Sequence, residues 1–279
     1  MIGQTKLREI IDEQIEFDDF PRFSIIAGPK GSGKKTLALD IGTKLKNCQI
    51  YKVPDIKVET IRQMIADSYK TKTKSVYIIS DVDSMSANAK NALLKVTEEP
   101  PNEAYFIMTV SDLSTVLDTI KSRARIYQME PYTPEELMEY AQIGKEEVQN
   151  CDMILAMCET PGDIDELCKL GVENTYYYAE KVVDNIADVS SANAFKIANE
   201  IAFKDDDTKI PFVFFMRAFK SICGARLRLA VNRDDIEEQM WYSAGLKVVN
   251  NTMQQMNITG INKGALFDIF ILNIREAWK

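Results

Sequence analysis

The sequence predicts an α/β protein, a parallel five-stranded sheet covered by helices, followed by a wholly helical remainder. Three observations carry this expectation. Short β-rich runs ("RFSIIA", "QIYKV", "SVYIIS", "AYFIMTV" and "ARIYQM") alternate with helix-like stretches at 34–46, 58–70, 87–98 and 113–118. That order is the pattern of strands joined by helical crossovers. A glycine-rich run, "GPKGSGKKT" at 28–36, falls where the first strand hands over to a helix, and beyond about residue 172 only helical periodicity is left.

Each element has a local reason. In "ANAKNALLKV" the apolar Ala89, Ala92, Leu93 and Val96 recur at i, i+3, i+4 and i+7, one face of a helix that Pro100 and Pro101 stop. At "PYTPEEL" Thr133 can cap a helix whose first position is Pro134 and whose first turn carries Glu135 and Glu136. "ETPGD" at 159–163 starts another helix. The aromatic stripes in "PFVFFMRAFKSI" and "GALFDIFILNIREAW" read as core or as a helix–helix subunit contact. Asp205 and Asp207 belong to an acidic run read as a solvated loop, and "YYY" at 176–178 has no functional reading. These signals divide the chain into an α/β unit over 1–130, a small helical unit over 131–171 and a helical unit over 172–279.

Composition narrows the classes. The 279 residues are 46% hydrophobic, enough for a sizeable core. No run approaches the roughly 20 apolar residues of a membrane-spanning helix, and "MIGQTKLREIIDEQ" lacks the plan of a signal peptide, so a cytoplasmic location is expected. Five cysteines (Cys48, Cys151, Cys158, Cys168 and Cys223) without paired close spacing fit reduced, mostly buried thiols and no zinc site. With no histidine, the commonest general base is missing. Nineteen Lys and Arg face eighteen Asp and Glu up to residue 130, and fifteen face twenty-four afterwards. The acidic second part repels nucleic acid, so any DNA contact falls to local positive patches on the first.

The glycine-rich run carries the chemistry. A phosphate cradle at a strand-to-helix turn needs glycines, so that backbone N–H groups can face the anion, and it uses the positive end of the helix. Gly28, Gly31 and Gly33 supply these, and Lys34 stands where the pattern G-x-x-x-x-G-K-[ST] places the phosphate-reaching lysine. Lys35 replaces the hydroxyl that would hold Mg²⁺, and Thr36 comes one position too late. The bland alternative is an ordinary glycine-rich turn. The strand "SVYIISDVDSM" should end in metal-orienting and catalytic carboxylates, yet Ser80 is neutral and Asp81 is one methylene shorter than the usual glutamate. Asp83 reads as a helix-start residue.

The stretch from "VYIISDVDSMSANAKNALLKVTEEPP" through "SDLSTVLDTIKSRARIYQMEPYTPEEL" resembles the AAA+ subunits of the bacterial replicative clamp loader (DNA polymerase III), in which the Asn-Ala-Leu-Leu-Lys, Glu-Glu-Pro-Pro and Ser-Arg-Cys motifs recur in this order. "MIGQTKL", "GPKGSGKKT" and "DIKVETIRQMI" are similar to the same family, and the likeness covers about residues 1–171. The resemblance implies an AAA+ P-loop domain, a helical lid and, by position and length alone, a helical collar for oligomerisation. Within the family the likeness is to the delta-prime type, commonly unable to hydrolyse ATP. It implies that Arg123 in "KSRAR" is an arginine finger reaching a neighbouring subunit's γ-phosphate, with Ala124 in place of the family's cysteine. It also implies that Ser111 is a γ-phosphate sensor and that Asp163 stands where a second sensing arginine is usual. Gamma/tau and delta types of subunit, the sliding clamp and primed DNA are the implied partners; ATP or ADP binding is expected to be weak or absent, with no catalytic metal. The four-cysteine zinc module often inserted before the second strand is missing, since only Cys48 lies in that interval. An ATP-hydrolysing gamma/tau-type subunit and a different P-loop protein of replication or repair stay open as alternatives.

Overall fold

The computed structural model describes residues 2–101, 103–142, 151–170, 172–185, 212–256 and 261–278. The chain divides into two compact units, Met1–Glu136 with Thr160–Gly162, and Leu137–Glu159 with Asp163–Lys279. The expected 131–171 and 172–279 segments both contribute helices to the second unit. The acidic run around Asp205 and the side chain of Cys151 lie outside the described residues.

In the first unit five parallel strands, β1 (Phe23–Ala27), β2 (Gln49–Lys52), β3 (Ser75–Ile79), β4 (Ala104–Val110) and β5 (Arg125–Gln128), pair in the order β2-β3-β4-β1-β5. Every residue of β1, β3 and β4 is buried, which is why these strands read as continuous apolar runs rather than alternating ones. Successive side chains go to opposite faces. Ile25, Tyr77 and Phe106 pack with Ile61 and Met64 of α3 (Val58–Lys70) and Leu93 and Val96 of α4 (Ala87–Glu98). Ile26, Ile78 and Ile107 pack on the other face with Ile11 of α1 (Thr5–Glu16) and Leu37 and Ile41 of α2 (Lys34–Lys44). Because all five strands are parallel, the loops after β1, β3 and β4 open at one edge of the sheet, where α/β proteins place their ligands.

Two sequence-based expectations need correction here. No continuous helix covers 113–118. A 3-10 turn at Leu113–Thr115 precedes a short helix, α5 (Asp118–Lys121), because the Asp112 carboxylate accepts the Ser114 N–H at 2.8 Å and competes with helical bonding. Asp83 starts no helix. It lies in the 3-10 turn Val82–Ser84, and Ser86 caps α4 by accepting the Ala89 N–H at 3.2 Å.

The capping at Thr133 is reciprocal. Its hydroxyl accepts the Glu136 N–H at 3.2 Å while the Glu136 carboxylate accepts the Thr133 N–H at 2.9 Å, starting α6 (Pro134–Gln142).

The second unit contains α7 (Cys151–Met157), α8 (Pro161–Leu170), α9 (Val172–Asn185), α10 (Phe212–Asn232), α11 (Ile236–Gln255) and α12 (Lys263–Ala277). The aromatic stripes are core: Phe215 of α10 meets Phe267 and Phe270 of α12 edge-on, and Phe219 stacks on Trp278. Among the described thiols, Cys158 and Cys223 are buried, Cys48 is half-buried and Cys168 is exposed, so the expectation of mostly buried cysteines holds only in part.

Candidate functional site

The run 28–36 folds as a glycine-rich turn between β1 and α2. Gly31 and Gly33 adopt φ of +81° and +88°, which a side chain would strain, and Gly33 precedes the first turn of α2. Gly28 is packed closely, since a Cβ there would stand 2.9 Å from that of Met129. The loop is braced from outside: the Tyr132 hydroxyl donates to the Ser32 carbonyl at 2.7 Å, and the Gly162 N–H donates to the Gly31 carbonyl at 3.0 Å. A Cβ on Gly162 would fall 2.5 Å from the Gly31 Cα, so only glycine fits. Sequence reasoning does not foresee these braces, although "TPGD" stands out for its small residues.

Lys34 is buried at the foot of the cradle, where its ammonium donates to the carbonyls of Gly28 and Pro29, both at 2.7 Å, and to Ser111 Oγ at 3.3 Å. Burial pulls its pKa below the ordinary lysine value; Asp83 and Asp81 oppose that shift and Lys35 adds to it. Ser111, just past β4, is therefore beside Lys34, and its own N–H donates to Asp83 Oδ1 at 3.2 Å. Asp83 thus ties the segment after β3 to the segment after β4.

The position of the missing hydroxyl is filled by an ion pair. Lys35 Nζ lies 2.6 Å from Asp81 Oδ2, with both side chains about half exposed. Asp81 is held at φ +57° with its N–H on Thr109 Oγ1 at 3.2 Å. A divalent ion bound here would have to displace that ammonium, and neutral, half-buried Ser80 supplies no second charge. These residues fit a phosphate but not Mg²⁺. Thr36 is exposed on α2 and does not line the cleft, so it does not replace the hydroxyl. Among the described residues no group of three or more His, Cys, Asp or Glu could hold a metal.

The cleft above the loop has a volume of about 820 Å³ and is lined by Lys30, Gly31, Lys34, Lys35, Asp81 and Ser111, with further loop residues. That lies within the roughly 300–1,000 Å³ of ordinary small-ligand sites. A second cleft of about 860 Å³ opens beside β2 and α3, lined by Tyr51, Met64 and Tyr77 among others, and no cradle residue reaches it.

The other two candidate residues lie outside this cleft's lining. Arg123, between α5 and β5, is exposed; it donates to the Thr119 carbonyl at 3.0 Å and lies 3.6 Å from Glu98 Oε1. Asp163, in the second unit, accepts the Glu159 N–H at 3.0 Å and pairs with Arg217 of α10 at 2.9 Å. It is a helix-start acid tied into its own unit. Arg217 also reaches the Met157 carbonyl at 3.1 Å and Glu159 Oε2 at 2.9 Å.

The family described as "DNA polymerase III, delta subunit" matches residues 43–133, from the end of α2 through the cap of α6. Among curated relatives, the chain is 28% identical over 170 residues to DNA polymerase III subunit gamma of Buchnera aphidicola subsp. Schizaphis graminum, covering 50% of this chain and 47% of that one. It is 25% identical over 160 residues to DNA polymerase III subunit delta' of Bacillus subtilis, covering 47% and 49%. Over about half of its length the chain is thus similar to subunits of DNA polymerase III. It spans about half the length of the curated relatives it matches. Among solved structures, a gamma subunit-related protein from Thermotoga maritima aligns at a TM-score of 0.50 and 17% identity over 99% of this chain and 100% of that one. A point variant of Thermotoga maritima RuvB aligns at a TM-score of 0.50 and 18% identity over 99% of this chain and 88% of that one. These likenesses show the fold, a parallel α/β unit followed by a helical part. No described helix is long and apolar enough to cross a membrane.

Proposed function

We propose that this chain is a delta-prime-like subunit of a clamp loader, which does not hydrolyse ATP itself but helps its partners load the sliding clamp onto primed DNA. The observation that supports the reading is the Lys35–Asp81 ion pair at 2.6 Å, which puts an ammonium at the position where the pattern has a metal-binding hydroxyl. Ser80 and Asp163, the one neutral and the other committed to Arg217, point the same way. Arg123 keeps an exposed guanidinium outside the chain's own cleft, a placement that suits a finger offered in trans to a gamma/tau-type neighbour. In a hetero-oligomeric loader the chain then contributes a fixed charge to another subunit's phosphoryl transfer.

The test is Arg123→Ala in a reconstituted loader. The variant should assemble normally, while hydrolysis at the site it serves drops by roughly 10³- to 10⁵-fold and clamp loading slows with it. Unchanged loading by a fully assembled complex would show that Arg123 only braces Glu98 and Thr119. Arg125, exposed on β5, serves as the control. The likeness to gamma subunits favours a second reading, a subunit that hydrolyses its own ATP. Mg²⁺-dependent turnover by the isolated chain, abolished by Lys34→Ala, would establish that reading instead.

A further inference from the structure

We infer that the cradle binds the polyphosphate of a nucleotide without a divalent metal, Lys35 leaving Asp81 to take the metal's electrostatic place. The inference rests on the non-hydrolysing reading above and adds a ligand to it. Gly31 and Gly33 hold the positive φ that a phosphate-binding turn requires, and Lys34 already reaches under it, its ammonium on the Gly28 and Pro29 carbonyls. What a P-loop ordinarily lacks is enough positive charge to offset a triphosphate, and a bound cation makes up the difference. Here three lysines, Lys30, Lys34 and Lys35, line the cleft against two carboxylates, Asp81 and Asp83. With Ser or Thr at position 35 the two signs would be equal in number, and the metal would be needed.

The ion pair is suited to exchange partners. Both of its side chains are about half exposed, so separating them costs little, and Asp81 stays solvated when Lys35 leaves. Lys35 sits in the first turn of α2, directly after the residue whose ammonium marks the phosphate position, and its flexible stem ends in the same cleft. An arriving phosphate offers that ammonium a stronger acceptor than one carboxylate. A magnesium ion on the same phosphates would meet the ammonium at close range, so Mg²⁺ should compete with Lys35 rather than assist it.

The test is equilibrium titration of the full chain with ATP and with ADP at fixed ionic strength, in EDTA and in excess Mg²⁺, alongside Lys34→Ala, Lys35→Ala and Lys35→Thr. Binding by the unmodified chain should be as tight in EDTA as in Mg²⁺ or tighter, and Lys34→Ala should remove it. Lys35→Ala should weaken binding in EDTA by roughly ten- to a hundredfold, the loss of one charge-assisted hydrogen bond. Lys35→Thr, which restores the hydroxyl of the pattern, should make binding tighter in Mg²⁺ than in EDTA. Melting curves of the three variants establish that each is folded. No binding of either nucleotide at millimolar concentration would overturn the inference, making the ion pair a plug and leaving the non-hydrolysing subunit intact as a reading. Affinity that rises with Mg²⁺, or Lys35→Ala binding as tightly as the unmodified chain, would also overturn it. Metal-dependent turnover would remove both.

Discussion

Two ion pairs, one in each unit, occupy positions to which the family resemblance assigns nucleotide chemistry, and they are built differently. Lys35–Asp81 is a single contact with side chains 58% and 49% exposed. Asp163–Arg217 has side chains only 18% and 16% exposed and belongs to a network with Glu159 and the Met157 carbonyl. The comparison teaches that ion pairs at such positions can be built to two different ends. An exposed pair adds little to stability and keeps its members available to a ligand. A buried pair commits its members to the fold, because removing one leaves the other charge desolvated and unpaired.

The largest expected effect comes from breaking the inner pair. Arg217→Ala should cost roughly 2–4 kcal/mol in denaturant unfolding of the second unit, since Asp163 and Glu159 lose a shared partner. Asp163→Arg, which restores the residue the resemblance leads one to expect, should destabilise at least as much by facing Arg217 with a like charge. If either variant unfolds at the unmodified midpoint, the contrast between the two pairs collapses.

Alkaline pH should weaken the fold next. Burial pushes the Cys223 thiol of the second unit from 9.0 to about 12, and the Tyr127 phenol of the first from 10.0 to about 12. Each group is protonated in the folded chain over a window in which it ionises once unfolded, so its contribution is whole below the unfolded pKa and is lost as pH rises toward the folded one. The contribution of Cys223 to the second unit should therefore begin to fall above about pH 9, as should that of Cys48, whose thiol burial also pushes up, to the first, while that of Tyr127 falls above about pH 10. Unfolding followed by Trp241 and Trp278 fluorescence, both in the second unit, should shift from about pH 9. Cys223→Ala should remove that early shift.

The smallest effect sharpens the comparison from the other side. Lys35→Ala should change stability by no more than about 0.5–1 kcal/mol, and added salt should erase even that. A loss as large as that of Arg217→Ala would mean that the outer pair is structural and that Lys35 is not free to serve a ligand.

Much of this was legible in the sequence, because its causes are local. The buried parallel strands announce themselves as unbroken apolar runs, as in "AYFIMTV", since a strand covered on both faces has no polar side to alternate with. The loop and the start of α2 follow from glycine at positive φ and lysine after it, and the start of α6 from Thr133, Pro134 and Glu136 within one turn. The helix Thr5–Glu16 was not foreseen, although Leu7, Ile11 and Ile15 recur on one face, and the break at Leu113–Thr115 turned on one side-chain bond from Asp112.

By itself the sequence determined which groups the site contains and which it lacks: a complete glycine and lysine cradle, no metal hydroxyl at position 35, no aspartate at position 80 and no arginine at position 163. Only the tertiary structure decided what those replacements do. Lys35 meets Asp81 across 46 residues, Asp163 meets Arg217 across 54, and Gly162 lies against Gly31 from far along the chain. Spacing and periodicity describe neighbours along the backbone, whereas an ion pair depends on where the sheet order and helix packing carry two distant side chains and on how much water is left around them.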